Sequence, residues 1–509
     1  MPQMPDQNAI FIGSSRQGKN HEIQKEYIWL QYANRHGFIT GATGTGKTVS
    51  LQVLAEAFSR QGVPVFCADV KGDLSGISKA GTLNDKIQSR MKDVGVDEMV
   101  MQGSPVIFWD LFGEEGHPIR TTVSKMGPLL LSRILELTPA QEGILNIAFR
   151  YAEDQNLLLL NLKDLQATMA QVAEKAVELS ARYGNVTKQS VGAIQRQLLV
   201  LDQQGGAKFF GEPALQLSDI MRVDQNGRGL VSLLAAAKLM SNPRLYSTFL
   251  LWLMTELFEK LPEIGDPEKP KLVFFFDEAH LLFDNASKAL IERIEQVVRL
   301  IRSKGVGVYF CTQNPLDMPE TVLAQLSNRI QHALRAYTPR ETQAVKVAAS
   351  TFRPNPDFDT MEAIKNLATG QALVSTLQEK GVPSVVQITM IKPPASQIGA
   401  ITVAEREQLL AVSPIAGVYE AENDRDSAFE TLSRASEQAA EQQVNPKPEQ
   451  QNSFWGNIFG VNSNRGRQSV GEAAVKSVTR SAANSIGRFV VKLGENYLRQ
   501  RFGKSNNKK

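Results

Sequence analysis

The sequence predicts an α/β fold built on a mostly parallel sheet with helices on both faces. Three observations carry the prediction. A glycine-rich turn lies between an apolar strand and a helix; a second buried strand ends in paired acids; and short apolar runs alternate with helical stretches along much of the chain.

Taken in order, residues 5–36 read as a short leader whose apolar cluster, Tyr27-Ile28-Trp29-Leu30, delivers the chain to the first core strand. Phe38-Ile39-Thr40 is that strand, and Val49 to Arg60 is patterned as the helix that follows. Between them Gly41, Ala42, Thr43, Gly44, Thr45, Gly46, Lys47 and Thr48 fill every fixed position of a phosphate-binding loop. The glycines let the backbone curl so that successive N–H groups face a triphosphate, and the positive end of the helix adds to the attraction. Lys47 would reach the β and γ phosphates, and the Thr48 hydroxyl would sit on Mg²⁺.

A second strand, Val63 to Val70, runs into Asp69-Val70-Lys71-Gly72-Asp73, and Pro105 to Trp109 reads as a third, so residues 1–116 form the first part of a P-loop core. Between 117 and 228 the pattern changes to helices (Pro128 to Leu137, Gln141 to Ala152, Leu162 to Arg182, Ser190 to Leu201), a helical insertion. Strand Gly229 to Leu234, helix 243–260 and a Pro/Gly/charged linker from Pro262 to Pro270 reopen the core. Strand Leu272 to Phe276, helix Ser287 to Lys304, and strands Val306 to Cys311 and Ile330 to Arg335 follow. Ala372 to Thr376 and Val385 to Ile391 alternate with period two and predict a terminal hairpin, closing the second core part at 229–400. Residues 401–460 read as a linker, rich in Glu, Gln, Ser and Ala over 418–452. Residues 461–509 form a basic tail, in which Ile486, Val490, Leu493 and Tyr497 make an amphipathic helical stripe within 481–503.

A phosphate loop alone implies only nucleotide binding; hydrolysis also needs a carboxylate near Mg²⁺ and a base for water. The buried strand Leu272 to Phe276 ends in Asp277 and Glu278, placing both at the carboxyl edge of the sheet, where ligands of such folds sit. Asp277 suits the metal shell through water, and Glu278 suits polarising an attacking water. Gln313, at the end of the next strand in Thr312-Gln313-Asn314-Pro315, can both donate and accept and suits a γ-phosphate sensor. That order fits P-loop ATPases with an additional strand between the loop strand and the acid strand. Asp277-Glu278-Ala279-His280 also spells the DEAH-box signature, but nothing between 330 and 400 resembles the second half of those helicases, and His280 reads as an ordinary helix-start residue. Arg329, Arg302 and Arg120 are candidate arginine fingers, although no local spacing selects any of them.

The remaining composition excludes several classes. Over 509 residues, 42% hydrophobic and 21% charged content is ordinary for a globular protein, and no apolar run approaches the roughly 20 residues of a membrane span. The opening Met-Pro-Gln-Met-Pro-Asp lacks a basic start and apolar stretch, predicting a cytoplasmic protein without a cleaved signal. Cys67 and Cys311 fall in core strands and read as buried hydrophobes. The histidines at 21, 36, 117, 280 and 332 lack metal-ligand spacing, leaving phosphate-bound Mg²⁺ as the expected metal. Net charge is +3, yet residues 461–509 hold eleven Lys/Arg against two Asp/Glu, a charge of +9 that leaves −6 on the rest.

With His36-Gly37-Phe38-Ile39-Thr40 entering the loop, Asp69 to Asp73 after the second strand, Asp277-Glu278, and Thr312 to Pro315, the chain over residues 10–400 resembles the HerA/FtsK superfamily of ATPases. Within it the pattern is similar to the bacterial YjgR-type, HerA-like branch. It departs from the family in showing neither the N-terminal β-barrel of archaeal HerA nor the membrane segments and winged-helix module of FtsK. The resemblance implies a RecA-like P-loop NTPase core, ATP and Mg²⁺ as cofactors, a homo-oligomeric ring (a hexamer) with ATP at subunit interfaces, and DNA threaded through the pore. It therefore implies an ATP-driven DNA translocase or helicase-like motor. A nucleotide-gated assembly ATPase that engages a protein or membrane partner through the basic tail is the other reading.

Overall fold

A computed structural model describes residues 8–17, 22–284, 288–423 and 425–444. The predicted amphipathic helix at 481–503 and the basic tail lie outside the described residues. Two compact units are present, one made of Met1–Thr121 with Pro213–Glu422, the other of Thr122–Glu212 with the described residues from Asn423 onward.

The first unit is organised on a twelve-stranded sheet. Its strands are β1 (Ala9–Gln17), β2 (Glu22–Trp29), β3 (Gly37–Thr40), β4 (Val65–Asp69), β5 (Val106–Asp110), β6 (His117–Pro118), β7 (Val231–Ala235), β8 (Leu272–Phe276), β9 (Val306–Thr312), β10 (Asn328–Gln331), β11 (Gln371–Ser375) and β12 (Gln387–Ile391). Their order is β2-β1-β12-β11-β10-β3-β9-β8-β4-β7-β5-β6. From β10 to β6 every neighbouring pair is parallel, whereas β11, β12, β1 and β2 add an antiparallel extension. β9 lies between the loop strand β3 and the acid strand β8, which is the additional-strand arrangement the sequence predicts.

Burial explains why the central strands read as continuous apolar runs. Every residue of β4, β8 and β9 is buried, because both faces of the sheet are covered. On one face Val65, Cys67, Val273, Phe275, Tyr309 and Cys311 pack with Leu51, Leu54 and Phe58 of helix α1 (Lys47–Arg60). On the other, Phe66, Phe274, Phe276 and Phe310 form a ladder of rings with centroids 5.1–5.7 Å apart. Cys67 and Cys311 are buried and free, as their setting in core strands predicts.

The expected leader is instead a pair of antiparallel strands, β1 and β2, with β1 also paired to β12. Its apolar signal is thin because Glu22, Ile23, Gln24 and Lys25 of β2 lie exposed at the outer edge. At the opposite edge β6 has only two residues, too few to leave a period. The alternation at 372–391 does become an antiparallel pair, β11 with β12. The strand expected at 330–335 is shifted, since β10 ends at Gln331. Beyond β12, Glu56 of α1 accepts the N–H groups of Ala395 and Ser396 at 2.9 Å each, tying that segment across the helix.

The second unit is helical. Val123–Ile134, Pro139–Asp154, Leu162–Glu174, Ala176–Tyr183 and Lys188–Leu201 begin after Thr122, Thr138, Asn161, Lys175 and Thr187, and all but Lys175 cap their helix with a side-chain oxygen. The helix expected from Leu162 to Arg182 is broken at Lys175, and Gly127, at φ 72°, breaks the first helix just before Pro128. Helix Ala428–Val444 occupies part of the expected linker, anchored where Asp164 accepts the N–H of Phe429 at 2.9 Å.

Candidate active site

The phosphate loop leaves β3 with Gly41, Gly44 and Gly46 at φ 153°, 75° and 115°, a run of positive angles that side chains with a Cβ resist. It is braced from behind. A Cβ on Gly41 would lie 2.4 Å from that of His332, just after β10. Ala42 N–H donates to the Ala333 carbonyl at 2.8 Å, and Gly370 N–H donates to that of Thr45 at 3.0 Å. His332 Nδ1 faces the Gln371 carbonyl at 2.9 Å, so that nitrogen carries the proton and Nε2 accepts from Ser50 Oγ at 2.8 Å. Burial lowers the His332 pKa to about 4 and keeps the ring neutral. Lys47 lies within the loop, its Nζ 3.0 Å from the Ala42 carbonyl.

Opposite the loop, β8 delivers Asp277 and Glu278. Because Phe276 is registered with Ala68 of β4 and with Phe310 of β9, residues following three strands meet there. Glu278 Oε1 accepts from Gln313 Nε2 at 2.9 Å and from Lys71 Nζ at 2.5 Å. Gln313 Oε1 in turn accepts from Thr43 Oγ1 at 2.9 Å. A hydrogen-bonded chain thus runs from the phosphate loop to the acid pair. Glu278 holds φ 47° and ψ 50°, a left-handed conformation that costs a non-glycine residue on the order of 1–3 kcal/mol.

The electrostatics distinguish the two acids. Burial, reinforced by the Glu278 charge, raises the Asp277 pKa to about 6. Burial would raise Glu278 too, but its bonds from Lys71 and Gln313 outweigh that and hold it below the usual carboxylate value. Asp69 is pushed up to about 7 by burial and by Asp73, despite accepting the Gly72 and Leu74 N–H groups. Asp277 Oδ2 and Glu278 Oε2 are buried without a hydrogen-bond partner, an arrangement that costs stability unless something polar is brought to them. A Mg²⁺ shell beside Asp277 and a water beside Glu278 fit those two atoms. Among the described residues no group of three or more His, Cys, Asp or Glu side chains could hold a metal unaided, so phosphate and water oxygens would complete such a shell.

The model of the family "Helicase HerA-like C-terminal" matches residues 14–500. The chain belongs to this HerA-like family of P-loop ATPases. It is 22% identical over 382 residues to the DNA double-strand break repair helicase HerA of Saccharolobus solfataricus, covering 74% of this chain and 67% of that protein. It is 31% identical over 120 residues to the probable helicase MJECL08 of Methanocaldococcus jannaschii, covering 23% of this chain and 21% of that one, so it spans about a fifth of that relative. Among solved structures, the bacterial conjugative coupling protein TrwB has a TM-score of 0.48 at 14% identity, with 76% of this chain and 96% of that chain covered. VirB4 of Thermoanaerobacter pseudethanolicus has a TM-score of 0.47 at 14% identity, with 77% and 97% covered.

In this HerA-like chain hydrogen bonds link the phosphate loop to Gln313 and Glu278, with Asp277 adjacent, whereas the three arginines do not join them. Arg302 precedes β9, at the far end from Gln313, and pairs with Asp266 at 3.0 Å. Arg329 lies inside β10, registered with Phe38, and its half-buried side chain donates to the Leu323 carbonyl at 2.9 Å. Arg120 donates to the Tyr419 carbonyl at 2.7 Å and pairs with Glu422. Internal contacts thus occupy all three. His280 Nδ1 sits 3.5 Å from Glu278 Oε2, beside the pair rather than within the chain of bonds. Sequence reading assigned no role to Lys71 or His332. Lys71 is signalled by its place in Asp69-Val70-Lys71-Gly72-Asp73, two residues beyond a core strand, and His332 carries no signal.

Proposed function

We propose that the chain is an ATP-hydrolysing motor subunit of the HerA type that assembles into a hexameric ring and moves DNA.

 The single observation supporting this reading is the chain of bonds from Thr43 through Gln313 to Glu278, which joins a phosphate loop to a carboxylate whose second oxygen is buried without a hydrogen-bond partner. Lys47 would neutralise the β and γ phosphates, and the loop N–H groups would hold them. Thr48 and Asp277 would hold Mg²⁺, which when bound with ATP spreads the charge that develops on the transferred phosphoryl group. Glu278 Oε2 would take the proton of the attacking water, while Gln313 positions that water against the γ phosphate. The name of the Saccharolobus relative, a DNA repair helicase, supports DNA as the substrate. ATP and DNA meet in the cytoplasm, where we place the protein.

The decisive measurement is ATP turnover with and without DNA at low salt, where phosphate contacts are strongest. Lys47→Ala and Glu278→Gln should each lower turnover by about 10²-fold or more, and DNA should stimulate the parent protein. Full hydrolysis by either variant would sink the site assignment, and turnover indifferent to DNA would sink the motor. Indifference to DNA would favour the second reading, an assembly ATPase acting on a protein or membrane partner through the tail, which the +9 charge of residues 461–509 supports. A mass measurement of the assembled protein tests the ring.

A further inference from the structure

Beyond the loop and the acid pair, a second lysine reaches the reacting end of the site. We propose that Lys71 is a positioning residue for hydrolysis, fixing the Glu278 carboxylate so that Oε2 alone is presented to water. The inference rests on the ATPase reading above.

The lysine stands on a rigid turn. Asp69, at the end of β4, accepts the N–H groups of Gly72 at 2.8 Å and Leu74 at 3.2 Å, and Ser75 Oγ donates to the Gly72 carbonyl at 3.0 Å. Gly72 takes φ 75°, which lets the chain reverse directly after Lys71. β4 and β8 are hydrogen-bonded neighbours, so this turn lies beside Asp277 and Glu278. Lys71 Nζ meets Glu278 Oε1 at 2.5 Å, the same oxygen that Gln313 Nε2 reaches at 2.9 Å.

Two donors on one oxygen define what the other can do. A carboxylate rotates readily about its last torsion, and a free one would offer either oxygen in many orientations. Here the ammonium fixes one side from the turn after β4 and the amide fixes the other from the end of β9, leaving Oε2 buried without a hydrogen bond, His280 Nδ1 lying 3.5 Å away. Glu278 also sits in a strained left-handed conformation, which persists only when its surroundings hold it. The Lys71 side chain is 44% exposed and that of Glu278 is 5% exposed, so removing the lysine withdraws a partner from a buried charge without opening a core cavity. Misplacement of a reacting group by about 1 Å costs about 10²-fold in rate, which sets the scale of the effect.

The test compares Lys71→Met, Lys71→Arg, Glu278→Gln and the Lys71→Met/Glu278→Gln double variant. Single-turnover ATP hydrolysis and equilibrium binding of an ATP analogue with Mg²⁺ are measured on each full-length protein. Lys71→Met should lower the hydrolysis rate by about 10²-fold while analogue affinity stays within about threefold. Lys71→Arg should recover part of the rate. In the Glu278→Gln background Lys71→Met should cost little more, because both changes remove one function. A rate equal to or above that of the parent in Lys71→Met overturns the proposal, as does a loss confined to affinity or fully additive in the double variant. If the parent hydrolyses and Lys47→Ala does not, such a result removes the Lys71 role alone. A parent that hydrolyses no ATP removes the ATPase reading and this inference together.

Discussion

At the scale of single residues, Asp277 combines its proposed place beside Mg²⁺ with a stability cost at neutral pH. Its carboxyl is raised from an ordinary value of 3.8 to about 6 by burial, so the folded state holds a proton that the unfolded chain releases. The stability this gives is full below pH 3.8 and is lost as pH rises through about 6. Asp277→Asn, measured by urea unfolding without nucleotide or Mg²⁺, should therefore gain stability over the parent as pH goes from 4 to 8, by up to about 3 kcal/mol. A difference that stays constant with pH would show that Asp277 is ionised in the fold throughout. The same residue was legible in the sequence because an apolar run fixes where β8 ends, and the phosphate loop was legible because its glycines answer a backbone demand. Lys71 and His332 were not, since the role of each depends on which strand lies beside which: β4 against β8, and β10 against β3.

At the scale of elements, α1 is held by more than its apolar face. Glu56, 2% exposed, accepts from the backbone of Ala395 and Ser396, fastening the segment after β12 to the helix that begins with Lys47. Glu56→Ala should cost about 3 kcal/mol in urea unfolding, because two buried N–H groups lose their acceptor, and Glu56→Gln should cost less since it keeps one carbonyl. Equal stability of Glu56→Ala and the parent would show that water replaces the carboxylate. Strands buried on both faces were readable as apolar runs, as β4, β8 and β9 illustrate. β1 and β2 escaped because an edge strand with one wet side mixes polar and apolar residues, and β6 because two residues carry no pattern. The break at Lys175 left no mark either, lying between two helix-forming stretches without glycine or proline.

At the scale of the whole molecule, charge separates the tail from the body. Eleven Lys/Arg within residues 461–509 face a remainder of −6, so a DNA contact made through the tail should depend steeply on salt. Deleting 461–509 should weaken DNA binding at low salt and flatten the dependence of affinity on salt concentration. Undiminished binding would place the DNA site on the body. Residues 213–228 fold with the sheet unit although they contain no long strand, so no change of period marks that boundary in the sequence. The two margins of the sheet have a further consequence. β2 turns Glu22, Gln24 and Lys25 outward, and β6 is a two-residue stub ending in Pro118, which has no N–H to offer. Charged and truncated margins discourage a visiting strand. In the ring proposed above, these margins would favour contacts between copies through loops and helices rather than through an added strand.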